Sequence, residues 1–270
     1  MSRTLALITG ASSGIGAAYA RLLAADCDFL LVARRADRLS ALADELRAAG
    51  AAVEVLPADL GNHDGLTSVT KRLAAGDVRL LISNAGDGGY APLAEVAPEE
   101  IDRLLILNGV ASIQLARAAL PGMLTAGEGT IVTVASLLAF SAGQSNPHMP
   151  PRTIYNAAKA STVAFTRTLA HELADTPIRT QVVCPGIVAT EFAGGYGNIP
   201  SAMTAEGVAG ASLAGLRLGE TICVPGLEDQ TAALDAFLAG EAALLAGGNR
   251  ATPAARYSHS HPADLRTDGE

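Results

Sequence analysis

The sequence predicts an α/β fold, a doubly wound and mostly parallel sheet with helices on both faces. Three observations predict it. Short apolar runs rich in Val, Ile and Leu alternate with longer amphipathic stretches along most of the 270 residues, the pattern of strands joined by crossover helices. The runs show no polar alternation, so their strands are expected to be buried on both faces, as in parallel sheets. A glycine-rich turn directly follows the first run, and such sheets bind ligands at the carboxyl ends of their strands.

The first run, Leu5–Thr9, passes through Thr9-Gly10-Ala11-Ser12-Ser13-Gly14-Ile15-Gly16 into a predicted helix, Ile15–Ala25. One glycine permits the tight turn, one lets the backbone approach a pyrophosphate, and one allows close helix-to-strand packing. The helix N-terminus offers N–H groups and a partial positive charge to phosphates. Gly10, Ser12, Ser13, Gly14, Ile15 and Gly16 are therefore assigned to a dinucleotide cofactor, the alternative being a purely structural turn. No Gly-Lys-Ser/Thr ending follows, which argues against a nucleoside-triphosphate loop.

The second run, Phe29–Ala33, ends in Arg34-Arg35, with Ala33 where an NAD binder usually carries an acid. Two guanidiniums can grip a 2′-phosphate. NADP(H) is therefore expected over NAD(H), against the alternative of an exposed pair capping a strand. Helix Arg38–Ala49 and strand Val53–Pro57 lead to Asp59-Leu60. Asp59 is placed to accept from an adenine amino group, or else serves only as a turn residue. Helix Gly65–Ala75 precedes the fourth run, Val78–Ser83, and the fifth run is Thr130–Ser136.

Helix Tyr155–Ala174 carries the candidate chemistry. The chain has seventeen arginines but only two lysines, and one of the two, Lys159, follows Tyr155 by four residues. That spacing places both on one helix face. A neighbouring cation lowers a phenol's pKa, and a tyrosine titrating near neutrality can exchange a proton with a substrate oxygen. The plainer alternative is a surface contact between the two side chains. The sixth run, Thr180–Cys184, a Gly/Pro-bearing loop at Gly194–Pro200, helix Thr204–Arg217 and strand Thr221–Val224 follow. Asp229–Ala246 reads as an amphipathic helix closed by Gly247-Gly248. One domain is expected over residues 1–248, with 249–270 as a flexible polar tail.

Composition removes other classes. A net charge of −8 gives no basic stripe for nucleic acid. No apolar run is expected to span a bilayer, and the N-terminal run is too short for a signal-peptide core, so a cytoplasmic location is expected. Cys27, Cys184 and Cys223 read as buried thiols. The tail pair His259 and His261 has no evident co-ligands, so no metal site is expected.

These residues together resemble the short-chain dehydrogenase/reductase family, in its compact single-domain branch, over residues 4–192. The resemblance rests on Thr9-Gly10-x3-Gly14-x-Gly16, Asp59-Leu60, Asn84-Ala85-Gly86, Asn108, Ser136, Tyr155-x3-Lys159 and Pro185-Gly186-x3-Thr190. It implies a Rossmann-type fold and hydride transfer between a nicotinamide and a carbonyl or secondary alcohol. Tyr155 would be the general acid and base, and Lys159 would bind the nicotinamide ribose and favour the phenolate. Ser136 would donate to the substrate carbonyl, and Asn108 would hold a water that relays protons to the lysine. Asn84, Ala85 and Gly86 would stabilise the sheet beside the cofactor. Pro185, Gly186, Val188 and Thr190 would contact the nicotinamide carboxamide, and Leu60 would flank the adenine with Asp59.

The chain also departs from the pattern. Ala135 stands where relatives commonly have a serine, and the Ser136-to-Tyr155 interval is long, with Asn146-Pro147-His148-Met149-Pro150-Pro151 inside it. Residues 138–153 and 191–203 are expected to form a substrate loop and lid, and Ser141 is a rival for the serine role. The C-terminus, with Glu220–Gly226 and a further helix, differs from the usual tetramer-forming end. A homo-oligomer is expected, with a dimer favoured and a tetramer possible. Leu137, Leu138, Phe140, Ile187, Phe192 and Tyr196 suggest a small apolar carbonyl or alcohol substrate. Two alternatives stand beside this: a non-catalytic NADP(H) sensor or scaffold on the same fold, against which the intact Asn108, Ser136, Tyr155 and Lys159 set argues, and a nucleotide-sugar epimerase or dehydratase, which shares Tyr-x3-Lys but usually has a different glycine spacing and a larger C-terminal domain.

Overall fold

The computed structural model describes residues 3–144, 149–194 and 199–257. The chain divides after Gly226 into two compact units. The first contains strands β1 (Thr4–Thr9), β2 (Cys27–Ala33), β3 (Val53–Pro57), β4 (Leu80–Ser83), β5 (Gly129–Val134), β6 (Ile178–Val183) and β7 (Ile222–Cys223). Its helices are α1 (Gly14–Leu22), α2 (Ala36–Ala48), α3 (His63–Leu73), α4 (Pro98–Leu105), α5 (Ala111–Ala126), α6 (Thr153–Glu172) and α7 (Ala205–Leu218). Among the described residues the strands form one parallel sheet in the order β3-β2-β1-β4-β5-β6-β7.

Successive strand residues face opposite sides, and here both sides are apolar. Ile8, Leu31 and Val132 pack with residues of α1, α2 and α7. Leu7, Leu30 and Ile131 pack with residues of α3, α5 and α6. All six are fully buried, which explains why these runs lack polar alternation. The strand order reverses between β1 and β4, and it is at the carboxyl ends beside such a switch point that sheets of this kind hold their ligands.

One local reading needs correction. Ser136 is not the end of a strand: β5 stops at Val134, and Ser136 caps a short 3-10 turn, Leu137–Phe140. Its hydroxyl accepts from Leu138 N at 3.1 Å, which turns the chain out of the sheet. Asn108 lies in a π-helical turn, Ile106–Val110, inserted between α4 and α5. Such insertions widen one helical turn and re-aim its residues.

The second unit contains helix α8 (Gln230–Gly248), capped by the Asp229 carboxylate, which accepts from Ala232 N at 3.1 Å. The expected amphipathic pattern is weak. Leu234, Phe237, Leu238, Leu244 and Leu245 make an apolar stripe, but half of the remaining residues are alanines and only Asp235 and Glu241 are charged, and none of the helix is buried. Two helical stretches, Pro98–Ala126 and Gln230–Gly248, are long and apolar enough to cross a membrane by length and composition. The expectation that no run reaches that length is therefore corrected. Half of the apolar window in the first stretch is buried, as in a core helix. His259 and His261 lie outside the described residues, as do Asn146, Pro147, His148 and Tyr196.

Candidate active site

The glycine turn is shaped by contacts that leave no room for side chains. Gly10 and Gly14 have φ of 65° and 52°, the left-handed region that favours glycine. A Cβ on Gly10 would lie 2.7 Å from Asn84 Nδ2, and one on Gly16 would lie 2.5 Å from Gly10 O. A Cβ on Gly14 would lie 3.0 Å from Thr190 Cγ2. The turn is thus pressed against the segment after β4 on one side and against Thr190 on the other. Ser13 caps α1 with extended backbone and no side-chain bond to it, so the first N–H groups of the helix have no partner within the helix.

The two strands flanking the switch point are tied together at this turn. Thr9 Oγ1 accepts from Asn84 N at 2.9 Å and from Ala85 N at 3.0 Å. Asn84 Nδ2 donates to Thr9 O at 3.0 Å. Asn84 and Ala85 therefore fasten the end of β4 to the end of β1. Close approach continues at Gly86, where a Cβ would meet Asn108 Oδ1 at 2.9 Å and Lys159 Nζ at 3.5 Å.

The Asn108 amide is committed to the backbone of Asp87. Its Oδ1 accepts from Asp87 N at 3.0 Å, and its Nδ2 donates to Asp87 O at 2.9 Å. The Asn108 carbonyl accepts from Thr162 Oγ1 at 3.1 Å, which pins the π turn to α6.

Tyr155 and Lys159 stand one turn apart on α6, and both are buried. Lys159 Nζ lies 5.8 Å from the Tyr155 ring centroid and donates to Val134 O at 2.8 Å. Burial pushes the ammonium down from its usual range to about 8, because the charged form loses water. The chain's other lysine, Lys71, is exposed on α3. The surface alternative for the pair therefore does not hold for Lys159.

Ser136 and its rival Ser141 are distinguished by their bonding. Ser141 Oγ donates to Leu138 O at 2.7 Å and accepts from Arg152 Nε at 2.9 Å and Asn156 Nδ2 at 3.2 Å. Its hydroxyl is spent on fastening the loop. Ser136, among the described residues, only accepts, from Leu138 N, so its proton can be directed at another group.

At the end of β2 the arginines behave differently from each other. Arg35 donates to Ser12 Oγ at 3.0 Å and to Ser13 Oγ at 2.7 Å, and it pairs with Glu191 at 2.8 Å. Arg38 pairs with the same carboxylate. Arg34 is exposed, and among the described residues it makes none of these bonds. Asp59 Oδ1 accepts from Gly61 N at 2.9 Å, so one oxygen supports the turn before α3. Leu60 is buried behind it.

Leu137 N donates to Pro185 O at 2.9 Å, joining the Ser136 turn to the segment after β6. A Cβ on Gly186 would sit 3.4 Å from Leu137 Cδ1. Val188 bridges to Met203, and Thr190 Oγ1 accepts from Phe192 N at 3.3 Å. Three residues not singled out in the sequence join the site. Tyr90 meets the Tyr155 ring edge-to-face at 5.3 Å, while Phe192, named only for its apolar character, lies 6.0 Å from the same ring. Arg38 and Glu191 are the others; Arg38 had a signal, since it falls one helical turn after Arg35.

The arrangement fits a dinucleotide. The side-chain-free turn at Gly10, Gly14 and Gly16 leaves backbone that a pyrophosphate can approach, and the segment after β4 on which Gly10 packs also comes close to Lys159, where a Cβ on Gly86 would lie 3.5 Å from Nζ.

A family model described as short chain dehydrogenase matches residues 4–198. Among curated proteins, the chain is 33% identical over 210 residues to a fatty acyl-CoA reductase of Mycobacterium tuberculosis, covering 74% of this chain and 69% of that protein. Among solved structures, it resembles a short-chain dehydrogenase from Sphingobium yanoikuyae in complex with NADPH. That likeness has a TM-score of 0.87 and 35% identity, covering 94% of this chain and 100% of the other. It also resembles the bulky-bulky ketone specific alcohol dehydrogenase from Comamonas testosteroni, with a TM-score of 0.86 and 31% identity, over 96% and 100% of the two chains.

Proposed function

The chain belongs to the short chain dehydrogenase family of oxidoreductases, and on that premise we propose an NADP(H)-dependent reaction with Tyr155 as general acid and base. Its substrate is a ketone, aldehyde or secondary alcohol. The observation that carries this reading is the buried pair of Tyr155 and Lys159 beside a cradle only glycines can form. Bound at the carboxyl ends of the strands, the dinucleotide supplies or accepts the hydride.

The chain's own residues do the rest. The N–H groups after Gly10 and the Ser12 and Ser13 hydroxyls hold phosphate. Arg35, with Arg34, favours the 2′-phosphate of NADP(H), and Asp59 faces the adenine. Asn84, Ala85 and Gly86 keep the sheet edge rigid beneath it, and Pro185, Gly186, Val188 and Thr190 orient the nicotinamide. Ser136 donates to the substrate oxygen. Tyr155 gives that oxygen a proton in reduction and removes it in oxidation. Lys159 favours the phenolate through its charge and holds the nicotinamide ribose, while Asn108 positions a water behind it.

Apolar groups favour an apolar substrate. Leu137 and Ile187 are exposed beside the Ser136 turn, and Tyr90 and Phe192 flank Tyr155. The ketone specificity named for the Comamonas protein agrees with this. The decisive experiment is a panel of carbonyls and alcohols assayed with NADPH and NADH in parallel. Reduction of bulky apolar ketones with NADPH preferred is expected; oxidation of neither cofactor by any member would point to a non-catalytic role. The same reading makes the protein a cytoplasmic homo-oligomer, a dimer in preference to a tetramer. A one-chain mass in light scattering would refute that assembly.

A further inference from the structure

Glu191 has no place in the reaction just described, yet it is held against the cofactor site from both sides. Thr190, before it, packs on the glycine turn, close enough that a Cβ on Gly14 would lie 3.0 Å from its methyl carbon. Phe192, after it, packs on the Tyr155 ring at 6.0 Å. The backbone between these anchors aims the carboxylate at the end of β2. There its two oxygens take separate guanidiniums, Oε2 with Arg35 at 2.8 Å and Oε1 with Arg38. The pairing draws the carboxyl below its usual range, through Arg35 first and then Arg38.

Arg35 also donates to the Ser12 and Ser13 hydroxyls at the phosphate turn. A carboxylate that bridges two arginines beside such a turn has the donors a phosphate monoester would use. We propose that Glu191 is a cofactor-selectivity residue, an internal carboxylate that competes with the 2′-phosphate of NADP(H) for Arg35 and Arg38. The inference rests on the assignment of NADP(H) to this site.

The competition acts on one cofactor only. A 2′-phosphate must displace the carboxylate from at least one arginine and then tolerate a like charge nearby. A 2′-hydroxyl carries no charge and leaves both ion pairs standing. Glu191 therefore narrows the preference for NADP(H) over NAD(H). Its side chain is 53% exposed, so it can turn into water without disturbing packing, and the penalty is modest. Exposed ion pairs are weak, so removing the charge should tighten NADPH binding by about three- to tenfold. The gain should shrink as salt screens the pairs.

The test is a set of binding titrations on the full chain, wild type and Glu191→Gln, with NADPH, NADH and 2′,5′-ADP. The last probe carries the 2′-phosphate without the nicotinamide. Tighter binding of NADPH and 2′,5′-ADP by Glu191→Gln, with NADH changed less than about twofold, is the expected result. The gain should disappear in an Arg35→Gln, Arg38→Gln background. A wild type that prefers NADPH, with a Glu191→Gln variant that binds it no better, overturns the competition alone. Equal gains for NADPH and NADH also overturn it, since a merely structural role would move both. A wild type that binds NADH as tightly as NADPH overturns the assignment of the arginines, and the proposal with it.

Discussion

Lys159 illustrates how a single residue's environment changes its chemistry. Tyrosine and lysine at a four-residue spacing occur on many helix surfaces; what sets this pair apart is that the ammonium is almost fully buried and bonded to Val134 O. Its folded pKa of about 8 lies below the ordinary 10.5. The unfolded chain therefore binds more protons than the folded chain between those values, so this residue makes stability rise with pH across that window. Comparing Tyr155→Phe with Tyr155→Phe/Lys159→Met isolates the effect, since the phenol that Lys159 is proposed to perturb is absent from both. The stability difference, lysine form minus methionine form, should rise by about 3 kcal/mol between pH 8 and 10.5; urea melts at several pH values would show it. A difference that stays level would mean the ammonium is not desolvated.

At the scale of elements, the site depends on how closely the first turn, the end of β4 and the start of α1 approach one another. Gly16 is the tightest point, because a methyl group there would sit 2.5 Å from Gly10 O. Gly16→Ala should cost on the order of 2 kcal/mol of stability, in line with overpacking elsewhere. It should also weaken NADPH binding by about tenfold or more, since the N–H groups that face the pyrophosphate move with the turn. A fluorescence titration with NADPH reads the second effect, and unchanged affinity would dissociate the turn from the cofactor.

Much at this scale was legible in the sequence. The strands were recognisable because both of their faces are buried, so Leu30 and Leu31 are apolar together. The glycine turn was recognisable because only glycine tolerates its geometry. Less legible were features that depend on contacts between distant segments. Glu191 meets Arg35 across 156 positions of sequence, and no spacing rule reaches that far. Tyr90 sits in a turn after β4 with no periodic signal, yet it packs on Tyr155. For α8, the apolar stripe was visible, but a stripe does not reveal whether anything covers it, and no residue of α8 is buried.

At the scale of the whole first unit, the parallel strands among the described residues bring four separate segments to the carboxyl ends of one sheet. The turn after β1 and the brace after β4 lie on either side of the point where strand order reverses. The Ser136 turn follows β5, and the Pro185 segment follows β6. Helix α6 then delivers Tyr155 and Lys159 between them. The sequence order of these motifs is thus a consequence of the winding, and it is why loosely defined motifs become specific when taken together. We propose that this winding assembles a hydride-transfer site in which Tyr155 moves the proton. Tyr155→Phe tests it most directly, because the ring that packs on Tyr90 and Phe192 is kept and only the hydroxyl is lost. NADPH binding by the variant should stay within about twofold of wild type, while turnover of any ketone the wild type reduces should fall by about a thousandfold or more. Retained turnover in Tyr155→Phe would contradict the account.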